Sequence, residues 1–139
     1  MTQQISEIMS REPMRLEVHA SAAEAARTMR DADVGAMLVC EGEKLRGLLT
    51  DRDIVVRAIA EGRNPAEVEV GQICSTDVGC LSPQDDVDEA VKVMRERHVR
   101  RVPVLEGSNP VGIVSIGDLA IVRDRESALA DISAAPGNR

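Results

Sequence analysis

The hydrophobic and polar positions of this 139-residue chain follow one pattern that occurs twice. Each copy has an apolar face at positions i, i+3, i+4 and i+7, which is typical of an amphipathic helix, and two apolar runs after it, which are typical of strands. The predicted helix faces are Ala22, Ala25, Ala26 and Met29 in the first copy, and Val87, Ala90, Val91 and Met94 in the second. The runs are continuous rather than alternating, so we expect both faces of these strands to be covered.

The order of elements predicted in each copy is β-α-β-β-α, preceded by a short amphipathic start. The predicted strands span residues 15–18, 36–40 and 45–49 in the first copy, and 80–82, 102–105 and 111–114 in the second. Ser21 and Asp86 precede a glutamate by three residues, which predicts a capping box at each first helix. Pro103 lies inside a predicted strand and therefore indicates an edge position or a bulge. The fold class is α/β (α+β), with two tandem units.

The two copies align without a gap from Ile5 to Ile54. Gly47 falls on Gly112 and Asp53 on Asp118, a displacement of 65 residues. A single copy would be marginally stable, so the copies should share an interface. We expect a first unit over 1–62, a linker over 63–69 containing Asn64-Pro65, a second unit over 70–126 and a flexible tail over 127–139.

A hydroxyl residue begins the last helix of each copy, and a carboxylate follows three positions later. These pairs are Thr50 with Asp53 and Ser115 with Asp118. One interpretation is local, since the hydroxyl would cap the helix and the carboxylate would favour its dipole. The other is functional, because a hydroxyl at a helix start suits a phosphate and a nearby carboxylate can accept ribose hydroxyls. The two are compatible, and the repetition favours a binding role.

Composition limits the partners. The net charge of −7 and the isoelectric point near 4.9 disfavour nucleic acid and anionic membranes. The absence of Phe, Tyr and Trp excludes base stacking on aromatic rings. We find no apolar run of about 20 residues and no signal peptide, and therefore expect a cytoplasmic protein without a membrane partner.

The reactive residue types do not suggest catalysis. Cys40, Cys74 and Cys80 are an odd number without CxxC spacing, which indicates reduced thiols. His19 and His98 have no ligand spacing with them, so we predict no metal site, and His98 is at least as well explained as a helix terminus. Without a nucleophile–base pair, a Walker-type loop or a carboxylate cluster, we expect no enzyme and no catalytic cofactor.

Several runs of residues together resemble a known family. Residues 5–10, 35–39 and 47–53 resemble a CBS domain, and residues 98–104 and 112–118 resemble a second one. The whole is similar to a CBS pair, or Bateman module, of the short stand-alone bacterial kind that includes the hypoxic-response type. The resemblance implies two units about a pseudo-twofold axis, with clefts that bind AMP, ADP or ATP, or else NAD or S-adenosylmethionine. It also implies a homodimer and a regulated protein partner.

The resemblance assigns residues to these clefts. By analogy with the family, Asp53 and Asp118 would hold ribose, while Thr50 and Ser115 would contact phosphate. The basic pair Arg100 and Arg101 would meet phosphates, and the first copy has Gly35 and Ala36 at these positions. We therefore expect unequal sites, with the Asp118 site preferring the phosphorylated ligand. The candidate walls of an aliphatic adenine slot are Met37, Val39, Val102 and Val104.

Three functions remain open at this point. The leading hypothesis is a regulatory module that senses an adenosine nucleotide and alters a partner or oligomer interaction. The alternative is a structural dimerisation protein, or a zinc- or redox-responsive one, that binds no nucleotide. A nucleotide hydrolase is the third.

Overall fold

The computed structural model describes residues 3–123, and the tail predicted over 127–139 lies outside them. The strands are β1 (Ser10–Arg11), β2 (Arg15–Glu17), β3 (Ala36–Glu41), β4 (Lys44–Thr50), β5 (Arg101–Glu106) and β6 (Asn109–Ser115). The helices are α1 (Ala22–Ala32), α2 (Asp51–Ile54), α3 (Val70–Ile73), α4 (Val87–Arg97) and α5 (Ile116–Arg123). A 3₁₀ turn spans Ile5–Glu7, and a π-helical turn (Val55–Ile59) continues α2. The predicted order of elements is confirmed, except that the segment over 80–82 forms only an isolated bridge from Leu81 to Val104.

The described residues form two compact units. The continuous unit is Met14–Asp77, and the split unit joins residues 3–13 to residues 78–123. These units divide the chain at other points than the sequence repeat does, because the leading segment of each copy packs with the body of the other copy. Ser10 pairs with Ile113 in the split unit, and its repeat equivalent Ser75 pairs with Leu48 in the continuous unit.

Each unit contains one three-stranded sheet. In the continuous unit the order is β2-β3-β4, with β2 parallel and β4 antiparallel to β3. In the split unit the order is β1-β6-β5, and the isolated bridge from Leu81 lies on the other side of β5, whose register shifts between Val104 and Leu105. Pro103 therefore lies beside an irregularity of the strand, as expected, but not at an open edge. Its carbonyl accepts from Leu81 N at 3.0 Å, away from β6, so the missing N–H costs no bond to β6.

The first helix of each copy is capped at both ends. Ser21 Oγ accepts from Glu24 N at 3.0 Å, which is one of the two bonds of the predicted capping box, whereas the Asp86 carboxylate accepts from Asp88 N at 3.2 Å rather than from Glu89. Asp33 and His98 end α1 and α4 in the left-handed conformation, with φ of 55° and 56°. His98 is thus an exposed helix C-cap.

The apolar faces of these helices cover the sheets. The side chains of α1 and α4 buried in the two cores are Ala22, Ala25, Met29, Val87, Ala90 and Met94. Two predicted face residues differ, since Ala26 is exposed and Val91 is only partly buried. Both residues occupy the i+4 position of the predicted face, which lies at the margin of the buried side of the helix, where the opposing sheet no longer covers the side chain.

The leading segments complete these cores. Ile5 in the split unit and its equivalent Val70 in the continuous unit have no exposed surface. Each belongs to the hydrophobic cluster of the unit in which it packs. Ser75 and Leu48 exchange two backbone hydrogen bonds, each of 2.9 Å. The leading segments are therefore part of the cores rather than linkers.

Two glycines permit this close packing. A Cβ atom at Gly47 would lie 2.5 Å from the Ser75 carbonyl oxygen and 2.9 Å from Cys74 Sγ. A Cβ at the equivalent Gly112 would lie 2.5 Å from Met9 Sδ and 3.0 Å from the Ser10 carbonyl oxygen. The nearest obstacle is backbone in the first case and a flexible side chain in the second.

We expect Gly47→Ala to lower the free energy of unfolding by about 1–3 kcal/mol, because the Ser75 backbone has to move. Gly112→Ala should cost less, since the thioether of Met9 can change rotamer. Urea unfolding of the two variants beside the wild type measures the difference. Equal stability of wild type and Gly47→Ala would contradict this account of the packing.

An exposed ion pair also joins the leading segment of the second copy to the continuous unit. His19 Nδ1 bonds Glu69 Oε1, and the hydrogen bond and charge of Glu69 raise the pKa of His19 above 6.5. Desolvation opposes this shift, while Glu17 and Glu41 add to it. A histidine pKa raised by folding stabilises the fold below its unfolded pKa, and that contribution is lost as the pH rises through the folded value.

Glu69→Gln should therefore lower the pKa of His19. It should also remove the contribution to the free energy of unfolding that is lost as the pH rises through the folded pKa of His19. An NMR titration of the two histidine rings measures the effect, with His98 as the internal comparison. An unchanged His19 titration in Glu69→Gln would show that the pair does not form in solution.

Candidate functional site

Thr50 and Asp53 form a reciprocal cap where β4 leads into α2. Thr50 Oγ1 accepts from Asp53 N at 3.1 Å, and Thr50 N donates to Asp53 Oδ2 at 2.9 Å. Asp53 retains only 8% of its surface and is the one buried charged residue among residues 3–123. The local interpretation of this motif is therefore confirmed, and the cap occupies one carboxylate oxygen.

Ser115 and Asp118 repeat the arrangement where β6 leads into α5. Asp118 N donates to Ser115 Oγ at 3.2 Å, and Ser115 N donates to Asp118 Oδ2 at 2.8 Å. Burial raises the pKa of Asp118 above 3.8, although the hydrogen bonds from Ser115 act in the opposite direction. Desolvation is the larger of these two effects.

The neighbouring strand brings the other predicted residues to each cap. Ala36 pairs with Thr50, and Asp51 N donates to the Gly35 carbonyl at 3.1 Å. In the split unit Arg101 pairs with Ser115, and Ile116 N donates to the Arg100 carbonyl at 2.9 Å. The side chain of Arg100 is exposed and that of Arg101 is half-buried. The structure thus gathers each predicted set within one unit.

The candidate adenine walls lie deeper. Met37 and Val39 belong to the core of the continuous unit, with at most 1% of their surface exposed. Val102 and Val104 belong to the core of the split unit and are fully buried. Packing accounts for these four side chains, and contact with adenine stays a prediction.

Arg57 is a site residue that the sequence analysis missed. Its Nε lies 3.8 Å from Asp53 Oδ1, and its Nη1 donates to the carbonyls of Ile73 at 3.2 Å and Cys74 at 3.4 Å. The spacing of four residues from Asp53 on a helix was a signal that could have found it. The repeat equivalent of Arg57 is Val122, so the two carboxylates have different neighbours.

Cys74 lies beside the same carboxylate. Burial and the charge of Asp53 raise the pKa of its thiol, while Arg57 and Arg46 lower it. Cys40 is also buried, whereas Cys80 is exposed. Within residues 3–123, no cluster of three or more His, Cys, Asp or Glu side chains could hold a metal ion.

Comparisons with known proteins identify the family. The CBS domain model matches residues 5–59 and 70–124. The chain is similar to the CBS domain-containing protein YhcV of Bacillus subtilis, with 39% identity over 79% of this chain and 81% of the relative. It is also similar to Hypoxic response protein 1 of Mycobacterium tuberculosis, with 37% identity over 73% and 72% of the two chains.

A solved structure shares this fold. The crystal structure of Hypoxic Response Protein I with two coordinated zinc ions has a TM-score of 0.78 and 34% identity, covering 85% of this chain and 97% of that one. Among the described residues, no helix is long and apolar enough to cross a membrane.

The two carboxylates should respond differently to neutralisation. We expect Asp118→Asn to keep or raise the free energy of unfolding at pH 7, since it removes a desolvated charge and keeps an acceptor for Ser115 N. Because folding raises the pKa of Asp118, the free energy of unfolding of the wild type should rise relative to that of Asp118→Asn as the pH falls through the folded pKa. Asp53→Asn should cost about 0.5–1 kcal/mol, because it breaks the pair with Arg57.

Urea unfolding at neutral and acidic pH measures both variants against the wild type. A loss at pH 7 that is as large for Asp118→Asn as for Asp53→Asn would show that the two environments are equivalent.

Proposed function

The chain belongs to the CBS-domain family, with two CBS domains, and we propose that it is a regulatory module that binds an adenosine nucleotide. The observation that carries this proposal is the repeated hydroxyl–carboxylate cap, Thr50–Asp53 and Ser115–Asp118. Both caps combine a partly or fully buried carboxylate with a hydroxyl beside a strand terminus. CBS-pair proteins are generally regulatory rather than catalytic.

The cap geometry is compatible with a bound nucleotide. Each backbone bond engages Oδ2 of the carboxylate, so Oδ1 can accept a ribose hydroxyl, at Asp53 beside the Arg57 Nε that lies 3.8 Å from it. Each threonine or serine oxygen accepts from the backbone, which leaves its own proton to be donated to a phosphate oxygen. One cap can therefore stabilise the helix and hold two parts of a nucleotide.

The two sites should differ in the ligand that each prefers. Arg100 and Arg101 adjoin Ser115, whereas Gly35 and Ala36 adjoin Thr50, and this supports a phosphate preference at the Asp118 site. AMP, ADP and ATP are the first candidates, followed by NAD and S-adenosylmethionine. Ligand binding in a cytoplasmic homodimer would alter its contact with a regulated protein.

A zinc-dependent role is the second candidate, and it rests on the two zinc ions coordinated in the Hypoxic Response Protein I structure. In that case the caps would serve stability alone, and the protein would respond to metal rather than to nucleotide. The nucleotide proposal has the stronger support in this chain, since the described residues contain two complete caps.

Thermal unfolding with AMP, ADP, ATP, NAD or S-adenosylmethionine tests the proposal. A ligand at 100 times its Kd should stabilise the fold by about 2.7 kcal/mol and raise Tm by several degrees. Asp53→Ala and Asp118→Ala should each remove part of this shift, and the double variant should remove all of it. Asp31→Ala, an exposed carboxylate on α1, is the matched control.

The other outcomes decide against the proposal. No shift with any of the five compounds, or an equal shift in the double variant, would overturn nucleotide binding at the caps. A shift with zinc chloride that EDTA reverses, without any nucleotide shift, would favour the zinc role. Sustained conversion of ATP to ADP would make the protein a hydrolase.

A further inference from the structure

Arg57 contacts two parts of the continuous unit that are distant in sequence. Its guanidinium faces the Asp53 carboxylate at 3.8 Å and donates to the carbonyls of Ile73 and Cys74. It lies in the π-helical turn Val55–Ile59, a type of turn that is frequent at functional sites. A planar guanidinium has donors enough to serve a carboxylate and two carbonyls at once.

The carbonyls that Arg57 holds belong to a segment that ends at the junction of the two units. We name residues 73–77 the junction segment. Ser75 in this segment pairs with Leu48, and the chain passes from the continuous unit into the split unit after Asp77. The junction segment is therefore the last part of the continuous unit before the chain enters the split unit.

The split unit provides a natural comparison. Its equivalent of the junction segment begins at Ile8 and includes Ser10, which pairs with Ile113. At the position equivalent to Arg57 this unit has Val122, which cannot bond the Asp118 carboxylate or a carbonyl. Among residues 3–123, the position of Arg57 therefore supplies a guanidinium link at the Asp53 site that Val122 cannot supply at the Asp118 site.

We propose that Arg57 is a positioning residue that couples occupation of the Asp53 site to the junction segment, whereas the Asp118 site lacks this coupling. The inference rests on the proposed nucleotide function. A ribose on Asp53 removes the small water contact that this buried carboxylate and the facing side of Arg57 retain, and this strengthens their attraction and holds the Ile73 and Cys74 carbonyls more firmly. By linkage, a firmly held junction segment in turn favours the ligand.

Cys74 provides a probe within the junction segment. Its thiol is buried, with 7% of the residue exposed, so a thiol reagent reacts only when the segment opens. Cys80→Ser removes the exposed thiol, and the buried Cys40 of β3 reports on opening of the sheet. The experiment measures the alkylation rates of Cys74 and Cys40 by mass spectrometry in this background. The nucleotide used is the one that gives the largest thermal shift.

The variants are Arg57→Val, which copies the split unit, Arg57→Lys, which keeps the charge without the planar fork, and Arg52→Val as an exposed control on α2. We expect Arg57→Val to raise the Cys74 rate about tenfold while the Cys40 rate stays constant. An electrostatic effect alone would act oppositely, because removing Arg57 raises the thiol pKa and slows alkylation. Arg57→Lys should be intermediate, and it remains informative if Arg57→Val does not fold.

Ligand protection completes the test. Saturating nucleotide should slow Cys74 alkylation in the wild-type, Arg52→Val and Asp118→Ala proteins, but not in Arg57→Val or Asp53→Ala. Equal protection in Arg57→Val and wild type, or a parallel rise of the Cys40 rate, would overturn the coupling and leave nucleotide binding intact. A wild type that no nucleotide stabilises would overturn both.

Discussion

The backbone pairing between the leading segment of each copy and the last strand of the other copy is the constraint on which the rest of the structure depends. Ser75 bonds Leu48 and Ser10 pairs with Ile113, so the body of each copy is completed by the leading segment of the other copy. A single copy of this size would be only marginally stable, because it buries little surface. The exchange supplies missing core residues such as Ile5 and Val70, and it is possible because the facing positions are glycines.

The same exchange places the candidate sites. Cys74 and the carbonyls beside it come from the leading segment of the second copy, yet they lie against Asp53 and Arg57 of the first. A nucleotide on Asp53 would therefore contact a carboxylate that is already linked to a segment from the other copy. For the proposed regulatory function, such links matter more than reactive groups, because the output would be a change in the stability of one arrangement over another.

The two repeated sites share one backbone arrangement but differ in their electrostatics. Both carboxylates accept the same backbone bond and follow a strand–helix turn, but Asp53 faces Arg57 while Asp118 has its pKa raised by burial. The sequence comparison located an inequality at Gly35-Ala36 against Arg100-Arg101. The structure adds a second inequality at positions 57 and 122, where the first copy has the arginine and the second has a valine. Under the proposed function, two sites that differ in this way would bind two ligands, or one ligand with two affinities.

The sequence by itself determined the repeat, the order of elements, the N-cap residues of the helices and the strand irregularity near Pro103, because these depend on local periodicity and on residues three or four apart. It also identified the Thr50–Asp53 and Ser115–Asp118 pairs. Only the tertiary structure decided which copy each leading segment completes, and that Arg57 meets the Ile73 and Cys74 carbonyls. These contacts join residues 16 or more positions apart, and such pairing depends on how whole segments share a core, which no local pattern specifies.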